Sequence, residues 1–503
     1  MFLTIIYFLL ILTGVVVVHE LGHYLFSRLF GVRVIEFAIG MGPKIWSRKG
    51  KKTTFRINAF PIGGYVRPAG EDLDTVDSSV PENEQIQNKP AWQRFIIYLA
   101  GPAFSLILGF VILSLVAVVW GFQEIKIDKI EPGSPAEISG IAPGDRIVSV
   151  NGKILIDNTR LGEAIAKGDP IDLVIMRDSG EVNITLVPEM LPQEAVMIIS
   201  RAQGDAGGEI TSINGATFSG DYVGYGKVLQ PESFIKIGFS DGQILSGTLL
   251  NYSPAEERYA MGIYYANFQP KIAKDYGPFK KGDIIISVGS LKTSTSYDLT
   301  MMSQLLTIGP SDLLIQFTGR EVAYQNHGFA EEIPVKLERD GKSFEITVSK
   351  QEMISLVSEA GVFSQGSDYW YPDNVLQAAG LGLQWANSIL VTMVRVVGSL
   401  FTGGANINEF TGPIGLVTIV DQAISLGLRI VIFITGFISL NLGVVNMIPF
   451  PALDGGRMLL AVLEMVTRRR LDPKIEGLIN VIGFMVLMGL MIYITFVDIG
   501  RWF

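Results

Sequence analysis

The sequence "GVVVVHELGHYLF", residues 14–26, carries two histidines and a glutamate directly behind an apolar run. His19, Glu20 and His23 follow residues 1–18, which contain no charged side chain. Ionisable side chains at membrane depth are costly, and they mark functional sites by default. The run lacks the basic start and the small-residue exit of a cleaved signal peptide. We therefore interpret it as a retained membrane helix with a functional site near its end.

The composition indicates a membrane protein with several domains. The chain has 503 residues, 48% of them hydrophobic, and a mean hydropathy of +0.37. The formal net charge of −9 argues against a general nucleic-acid partner. The absence of cysteine excludes disulfides and thiolate metal ligands. A metal site in this chain must use histidine, carboxylates or water.

Five segments are long and apolar enough to be considered as membrane spans, which need about 20 residues each. They are residues 2–24, 94–120, 381–402, 427–450 and 477–497. The third segment differs from the others because its polar residues recur at steps of three and four, which places them on one stripe of a helix: Gln384, Ser388, Thr392, Arg395 and Ser399. Such a stripe is typical of an amphipathic helix at the membrane interface.

The distribution of cations predicts the topology. Positive charge is concentrated between the first two spans, at Arg33, Lys44, Arg48, Lys49, Lys51, Lys52, Arg56 and Arg67. A second cluster lies in "TRRRLDPK", residues 467–474. Both loops should be cytoplasmic, and only a model with four spans satisfies both. It places both termini and residues 121–426 on the outer side.

This model divides the membrane part into segments, and each has a predicted role. Residues 1–26, 92–120, 427–450 and 477–498 form the four transmembrane helices. Residues 27–91 and 451–476 form cytoplasmic loops, and 375–426 form amphipathic interfacial helices.

The outer region contains three similar windows, "APGDRIVSVNGKIL" at 142–155, "AGGEITSINGATFS" at 206–219 and "KKGDIIISVGSLKT" at 280–293. Each reads as glycine, an acidic residue, a short β-branched strand and a glycine-containing turn. Such repeats indicate duplicated modules. They resemble PDZ domains, so we predict modules at 123–189, 190–258 and 259–351, the second being the weakest match. These modules either bind extended peptides beside a sheet edge or serve as a steric shield. His327 lies in the third module and receives no role.

The spacing of His19 and His23 predicts a metal site. Residues at i and i+4 share one helix face, so both imidazoles reach one ion, with Glu20 beside it. A catalytic zinc takes three protein ligands, and the membrane part offers no further histidine. The third ligand should be a carboxylate, and Asp454 in "NMIPFPALDGGRM" (446–458) is the best candidate, because four spans bring it to the same depth. The alternative is that Asp454 only caps a helix or a turn.

Together, His-Glu-x-x-His at 19–23, the "NMIPFPALDG" motif and the intervening PDZ region resemble the site-2 protease family of intramembrane zinc metalloproteases, in its bacterial regulator-of-sigma-E type. The resemblance implies an α-helical core of four transmembrane helices, a membrane-associated β-hairpin and α+β PDZ-like modules on the outer side. It implies that His19, His23 and Asp454 bind Zn²⁺. It implies that Glu20 activates the attacking water and then protonates the leaving amine.

The same resemblance implies a set of substrate-binding residues. They are Asn446, Pro449 and Pro451 in the second motif, and Ile62, Gly63 and Gly64 in a hairpin at 53–71 that holds the substrate extended. The alternation of Phe55, Ile57 and Ala59 with polar residues also favours a hairpin here, with Gly63–Gly64 permitting a turn. An ordinary cytoplasmic hairpin remains the alternative. Relatives often carry asparagine where Ser105 stands, so the role of Ser105 is left open.

Two other classes of function fit the sequence less well. A membrane receptor with a structural metal site would need four closed protein ligands and no Glu20. A metal transporter would need carboxylates or histidines along several spans, and spans two and four are nearly free of them. We therefore predict a protease of the bacterial cytoplasmic membrane. The resemblance implies that its substrates are single-pass membrane proteins, such as anti-sigma factors or signal-peptide remnants. Its further partners would be the bilayer and ligands of the PDZ modules.

Overall fold

The chain folds into two compact units, residues Met1–Gly121 with Tyr371–Phe503, and residues Phe122–Trp370. The structure is a computed structural model, and it describes residues 2–71, 80–177, 179–192, 195–204, 210–218, 229–253, 257–266, 268–318, 321–359, 361–365, 369–402, 412–469 and 472–500.

The first unit is mostly helical. Its helices are α1 (Phe2–Leu29) and α2 (Ala91–Trp120), and then α7 (Val375–Thr402), α8 (Pro413–Leu426), α9 (Leu428–Met447), α10 (Asp454–Thr467) and α11 (Pro473–Gly500). Among the described residues, five helices are long and apolar enough to cross a membrane: α1, α2, α7, α9 and α11. The protein is therefore an integral membrane protein. Helix α7 lies in the segment 375–426, which the sequence predicts to be interfacial. It is nevertheless long and apolar enough to cross a membrane, like the other four helices.

Helix α2 is the centre of the helical unit. His19 and His23 of α1 contact Ser105 and Ile97 of α2, so the two helices run in opposite directions. Helix α9 is also antiparallel to α2, because a Cβ on Gly436 would meet Leu113 of α2 and one on Gly443 would meet Leu106. Helices α1 and α9 therefore run in the same direction along α2.

A small sheet connects α1 to α2. Its strands are β1 (Val34–Lys49) and β2 (Thr54–Pro68). Phe37 is the register partner of both Val66 and Phe55, and residues 46–49 pair with 54–57. The segments therefore lie in the order 44–49, 54–58, 34–39 and 64–68, which leaves 64–68 at one edge.

This sheet differs from the predicted hairpin at 53–71. The connection between the strands lies at residues 50–53, whereas Gly63 and Gly64 lie within β2. Gly63 has a φ of +68°, which allows the strand to bend where it changes its pairing partner. Gly63–Gly64 predicts a turn when 53–71 is considered alone, but because residues 34–49 also form a strand the two glycines mark a bend within β2.

The second unit is rich in β structure. Its strands are β3 (Phe122–Gln123), β4 (Ile125–Ile130), β5 (Arg146–Val150), β6 (Lys153–Ile154), β7 (Ile171–Arg177), β8 (Gly180–Leu186), β9 (Glu189–Pro192), β10 (Ala195–Gln203), β11 (Ile210–Ile213), β12 (Ala216–Thr217), β13 (Phe234–Phe239), β14 (Ile244–Ser253), β15 (Glu257–Ala260), β16 (Ile263–Tyr265), β17 (Phe268–Ile272), β18 (Ile284–Val288), β19 (Leu291–Lys292), β20 (Leu313–Thr318), β21 (Glu321–His327), β22 (Glu332–Arg339), β23 (Lys342–Ser349), β24 (Phe363–Gln365) and β25 (Tyr369–Trp370). Its helices are α3 (Pro135–Ile138), α4 (Asn158–Lys167), α5 (Ser296–Leu305) and α6 (Lys350–Ser358).

The first and third predicted modules have the same topology. One sheet has the order β16-β4-β5-β7-β8 with α4 beside it, and the other has the order β24-β17-β18-β22-β23 with α5. The match extends to a buried aspartate in each module. Asp145 (3% exposed) accepts from Nε of Arg177 at 2.6 Å, and Asp283 (0% exposed) accepts from Nε of Arg339 at 2.7 Å. The two modules are therefore repeats of one fold.

The described part of the middle segment forms a different structure. It is a seven-stranded sheet with the order β12-β11-β13-β14-β10-β20-β21. Strands β20 and β21 come from within the third predicted module, and β16, beyond the predicted boundary at 258, completes the sheet of the first. The module boundaries of 123–189, 190–258 and 259–351 thus differ from the sheets, because strands far apart in sequence share a sheet. Gly208 of the second window lies outside the described residues.

Candidate active site

Helices α1 and α2 approach closely at the His-Glu-x-x-His motif. A Cβ on Gly22 would lie 2.3 Å from the carbonyl oxygen of Ala100. A Cβ on Gly101 would lie 2.2 Å from Nε2 of His23. Neither position has room for a larger side chain. Glycine at both positions therefore allows the two histidines to lie directly against α2.

The loop after α9 brings Asp454 to the same place. Helix α9 ends at Met447, and Asp454 is the first residue of α10. Between them Ala452 has a φ of +72°, and its backbone N–H donates to the side chain of Asn480 in α11 at 3.3 Å. The N-cap of α10 is Leu453, without a side-chain cap. Asp454 therefore does not act as a helix cap, and its carboxylate contacts the histidines instead.

Three ligand atoms converge at this point. Nε2 of His19 lies 3.0 Å from Oδ2 of Asp454 and 3.3 Å from Nε2 of His23. Nε2 of His23 lies 3.4 Å from the same Oδ2. Ligand atoms about 2.0–2.1 Å from a tetrahedral zinc ion are themselves about 3.3 Å apart. The chemistry and spacing of these three groups therefore fit Zn²⁺, and among the described residues they form the one cluster of this kind.

The other nitrogen of each imidazole contacts α2. Nδ1 of His23 lies 2.8 Å from the carbonyl oxygen of Ile97, and Nδ1 of His19 lies 3.0 Å from Oγ of Ser105. A carbonyl oxygen only accepts hydrogen bonds, so His23 carries its proton on Nδ1. This leaves the lone pair of its Nε2 directed at the cluster.

Glu20 is bound to the edge of the small sheet. Its Oε2 accepts a hydrogen bond of 2.9 Å from the backbone N–H of Val66. Val66 lies in the edge segment 64–68, so this N–H points away from the neighbouring strand segment. The connection between Glu20 and the sheet was not predicted, because it involves a backbone group that no sequence pattern marks.

Glu20, the two histidines and Asp454 line one cavity of about 360 Å³. Asn446, which is predicted to bind substrate, lines it too. Pro449, Pro451, Ile62, Gly63 and Gly64 are not among the described residues that line it. The two prolines lie in the loop that leads to Asp454, and the other three lie in β2.

Several lining residues were missed by the sequence analysis. Tyr65, Val66, Glu71, Tyr98 and Arg457 all border the cavity. Arg457 forms an ion pair with Glu71 and lies over the ring of Tyr98, 5.6 Å from its centroid. Arg457 follows Asp454 by about one helical turn, so both side chains lie on the same face of α10. This spacing is the feature of the sequence that could have marked Arg457 as a residue of the site.

Comparisons with known proteins give the family of the chain. The model of peptidase family M50 matches residues 7–490. A protein of Thermotoga maritima, named as a zinc metalloprotease, is 37% identical over 508 residues and covers 99% of each chain. The zinc metalloprotease RasP of Shouchella clausii is 27% identical over 504 residues, again with 99% of each chain. The protease eep of Enterococcus faecalis is 27% identical over 506 residues, also with 99% of each chain.

One solved structure covers part of the chain. The crystal structure of a PDZ domain protein from Parabacteroides distasonis matches 46% of this chain and 93% of its own, at 10% identity. Its TM-score is 0.13, so the likeness carries no argument about the fold.

The fold and site define a membrane-embedded zinc metallopeptidase. The chain belongs to peptidase family M50, whose model matches nearly its whole length. The predictions of an intramembrane zinc metalloprotease of the site-2 type, and of Zn²⁺ as its cofactor, are confirmed.

Proposed function

We propose that this protein hydrolyses peptide bonds within the transmembrane segments of single-pass membrane proteins, with His19, His23 and Asp454 as zinc ligands and Glu20 as the catalytic acid–base. One observation carries the assignment of these residues: three metal-binding atoms from α1 and α10 lie within 4.8 Å of one another, beside the cavity that Glu20 lines. Three protein ligands leave one coordination position open, as a catalytic site requires.

The roles of the residues follow from their placement. When bound, zinc supplies Lewis acidity and lowers the pKa of a coordinated water to about 7. Glu20 lines the same cavity, so its carboxylate takes a proton from the attacking water and returns it to the leaving amine. Asn446 lines the cavity from the end of α9, where its amide group can donate to the carbonyl oxygen of the scissile bond.

The edge segment 64–68 is placed to hold an extended substrate. A transmembrane substrate hides its carbonyl groups in helical hydrogen bonds, so it must unwind before attack. A backbone added along 64–68 would regain those bonds by strand addition. The N–H of Val66 is directed to that edge and meets Glu20, so a strand bound there passes the catalytic carboxylate.

The arrangement of helices supports four spans. Since α1 and α9 both run antiparallel to α2, the C-terminal end of α2 and the first residue of α9 lie at the same end of the bundle. The segment between them must cross the membrane an even number of times. Helix α8, with 14 residues, is too short for a return crossing, for which about 20 residues are needed. Helix α7 therefore does not complete a span in this proposal.

The cationic loop supports the orientation. The segment between α1 and α2 carries nine Lys or Arg side chains, at the end of the bundle opposite to Gly121. By the positive-inside rule this end is cytoplasmic. We place residues 122–370 on the outer side of the bacterial cytoplasmic membrane. There the two repeated modules serve as sites for extended peptides or as a filter for substrates with short outer portions.

The test combines metal analysis with cleavage. The full chain is purified in detergent, its zinc content is measured, and a single-pass membrane substrate is offered. Glu20→Gln should retain zinc and lose cleavage, whereas Asp454→Asn should lose both. Glu345→Gln, at an exposed position of β23, is the matched control and should retain both. Full cleavage by Glu20→Gln would overturn the proposal.

A further inference from the structure

Ser105 of α2 lies against the metal cluster without belonging to it. Its Oγ is 3.0 Å from Nδ1 of His19, on the opposite side of the imidazole ring from Asp454. Ser105 is 0% exposed and His19 is 5% exposed. The contact is therefore buried between the helices, where an unpaired polar group is destabilising.

The hydrogen-bonding capacity of His19 makes this contact directional. A neutral imidazole that binds a metal through Nε2 must carry its proton on Nδ1, and that N–H then needs an acceptor. His23 has the carbonyl oxygen of Ile97 for this purpose. For His19 the acceptor within reach is the hydroxyl oxygen of Ser105. The opposite arrangement, with the proton on Nε2, would direct an N–H at the cluster and prevent coordination.

Ser105 is itself held in place by a third helix. The hydroxyl of Ser439 in α9 donates a 2.7 Å hydrogen bond to the backbone oxygen of Ser105, and Ser439 is also 0% exposed. This bond fixes the backbone at Ser105 while leaving its side chain available for His19. The contact thus joins α1, α2 and α9 at the depth of the metal site.

We propose that Ser105 is a positioning residue, whose hydroxyl accepts the Nδ1–H of His19 and thereby fixes the tautomer and ring orientation in which His19 binds zinc. This inference rests on the proposed assignment of His19 as a ligand. Both an asparagine amide oxygen and a serine hydroxyl can accept this proton.

The first test measures zinc affinity by competition with a chelator in the full-length protein. Ser105→Ala should weaken zinc binding by about 10- to 100-fold, the usual effect of losing such a partner. Ser114→Ala is the matched control, because it removes a hydroxyl of the same helix α2 that lies nine residues beyond Ser105 and donates to the carbonyl oxygen of Ala379. It should leave zinc affinity within about threefold of wild type. Ser105→Asn should restore most of the affinity lost in Ser105→Ala.

The second test needs no variant at Ser105. The chain has only three histidines, so ¹⁵N-histidine labelling gives a spectrum that His327→Gln and His23→Gln suffice to assign. In the zinc-loaded wild type, His19 should show its proton on Nδ1. A proton on Nε2 of His19, or unchanged zinc affinity in Ser105→Ala, would overturn the inference. Failure of the wild type to bind zinc would instead overturn the proposed function, so the two failures are distinguishable.

Discussion

The backbone N–H of Val66 donates a 2.9 Å hydrogen bond to Oε2 of Glu20. This bond joins the edge of the β1–β2 sheet to the single carboxylate of α1. The N–H is also the group that an added substrate strand would approach. Glu20 and the substrate backbone therefore meet the sheet at the same residue, and the catalytic carboxylate is positioned by the element that we propose holds the substrate.

Val66→Pro should impair the positioning of Glu20 and of the substrate strand while leaving metal binding intact. Proline removes the N–H, and the outward direction of that N–H at an edge makes proline compatible with the sheet. Hydrogen bonds to charged groups contribute about 1.5–3 kcal/mol, so cleavage of a membrane substrate should fall about 10- to 100-fold at unchanged zinc content. Val66→Ala keeps the N–H and should retain most of the activity.

The choice of substrate sharpens the test of Val66→Pro. If the edge holds unwound helices, the loss should be larger for a membrane substrate than for an unstructured peptide. Cleavage rates of both substrates by one preparation give the comparison. Equal loss on both would show that the sheet does not have this role.

Gly22→Ala should disrupt the metal site through the helix contact. The added Cβ would lie 2.3 Å from the carbonyl oxygen of Ala100, so α1 and α2 must separate. Zinc content should fall, and the thermal stability in detergent should decrease. Gly14→Ala in the same helix is the control, because a Cβ there has no neighbour within 4 Å. A Gly22→Ala protein with full zinc content would contradict the close packing described above.

Asp283→Asn should destabilise the second unit in a pH-dependent manner. Burial opposes ionisation of Asp283, but the hydrogen bonds from Arg339 and from the backbone N–H of Lys280, together with the positive charges of these two residues, outweigh it and hold the pKa of the aspartate below its usual range. A lowered pKa in the folded state stabilises the fold above the ordinary aspartate pKa of about 4, and this stabilisation is lost as the pH falls through the folded value. The variant should lose about 3 kcal/mol of stability at neutral pH, and less below pH of about 4.

Hydrogen exchange of the strands around Asp283, measured at neutral and acidic pH, gives this comparison. Glu359→Gln is the control, because it breaks an ion pair with Lys274 in which both side chains are well exposed. Its effect should be below about 1 kcal/mol. A pH-independent difference between wild type and Asp283→Asn would contradict the assigned ionisation.

A cysteine pair should report the interleaved sheets of the second unit. Val196 and Gln316 are register partners in β10 and β20. Because the chain has no cysteine, Val196→Cys with Gln316→Cys should form a single cross-link on mild oxidation, seen as a mobility shift. Val196→Cys with Thr347→Cys places the second thiol in another sheet and should not. Absence of a cross-link in the first pair would favour the predicted boundaries, which place residues 196 and 316 in different modules.

The metal cluster could be predicted from the sequence because its residues are chemically rare. With three histidines and no cysteine, the helical spacing of His19 and His23 left few alternatives, and four spans pointed to Asp454. The partners of the cluster could not be predicted in the same way. The carbonyl of Ile97 and the N–H of Val66 are backbone groups, and every residue of the chain has such groups.

The modules were harder to predict than the site. The repeated windows at 142–155 and 280–293 lie in the two modules that share one topology, and in each module the buried aspartate directly follows a glycine with positive φ. The sheets themselves are assembled from strands such as β16 and β20, which lie far along the chain from their partners. Strand pairing at long range leaves no periodic signal in sequence, so the limits of the middle sheet were not predictable.

The distance along the chain between the two halves of the site has a consequence for biosynthesis. His23 enters the membrane early, but Asp454 follows more than four hundred residues later, after the whole second unit. At about 5–20 residues per second, this delay is about 20 to 80 s. During that interval the nascent chain holds two ligands without the third. Proteolytic competence therefore arises only after the whole second unit has been synthesised.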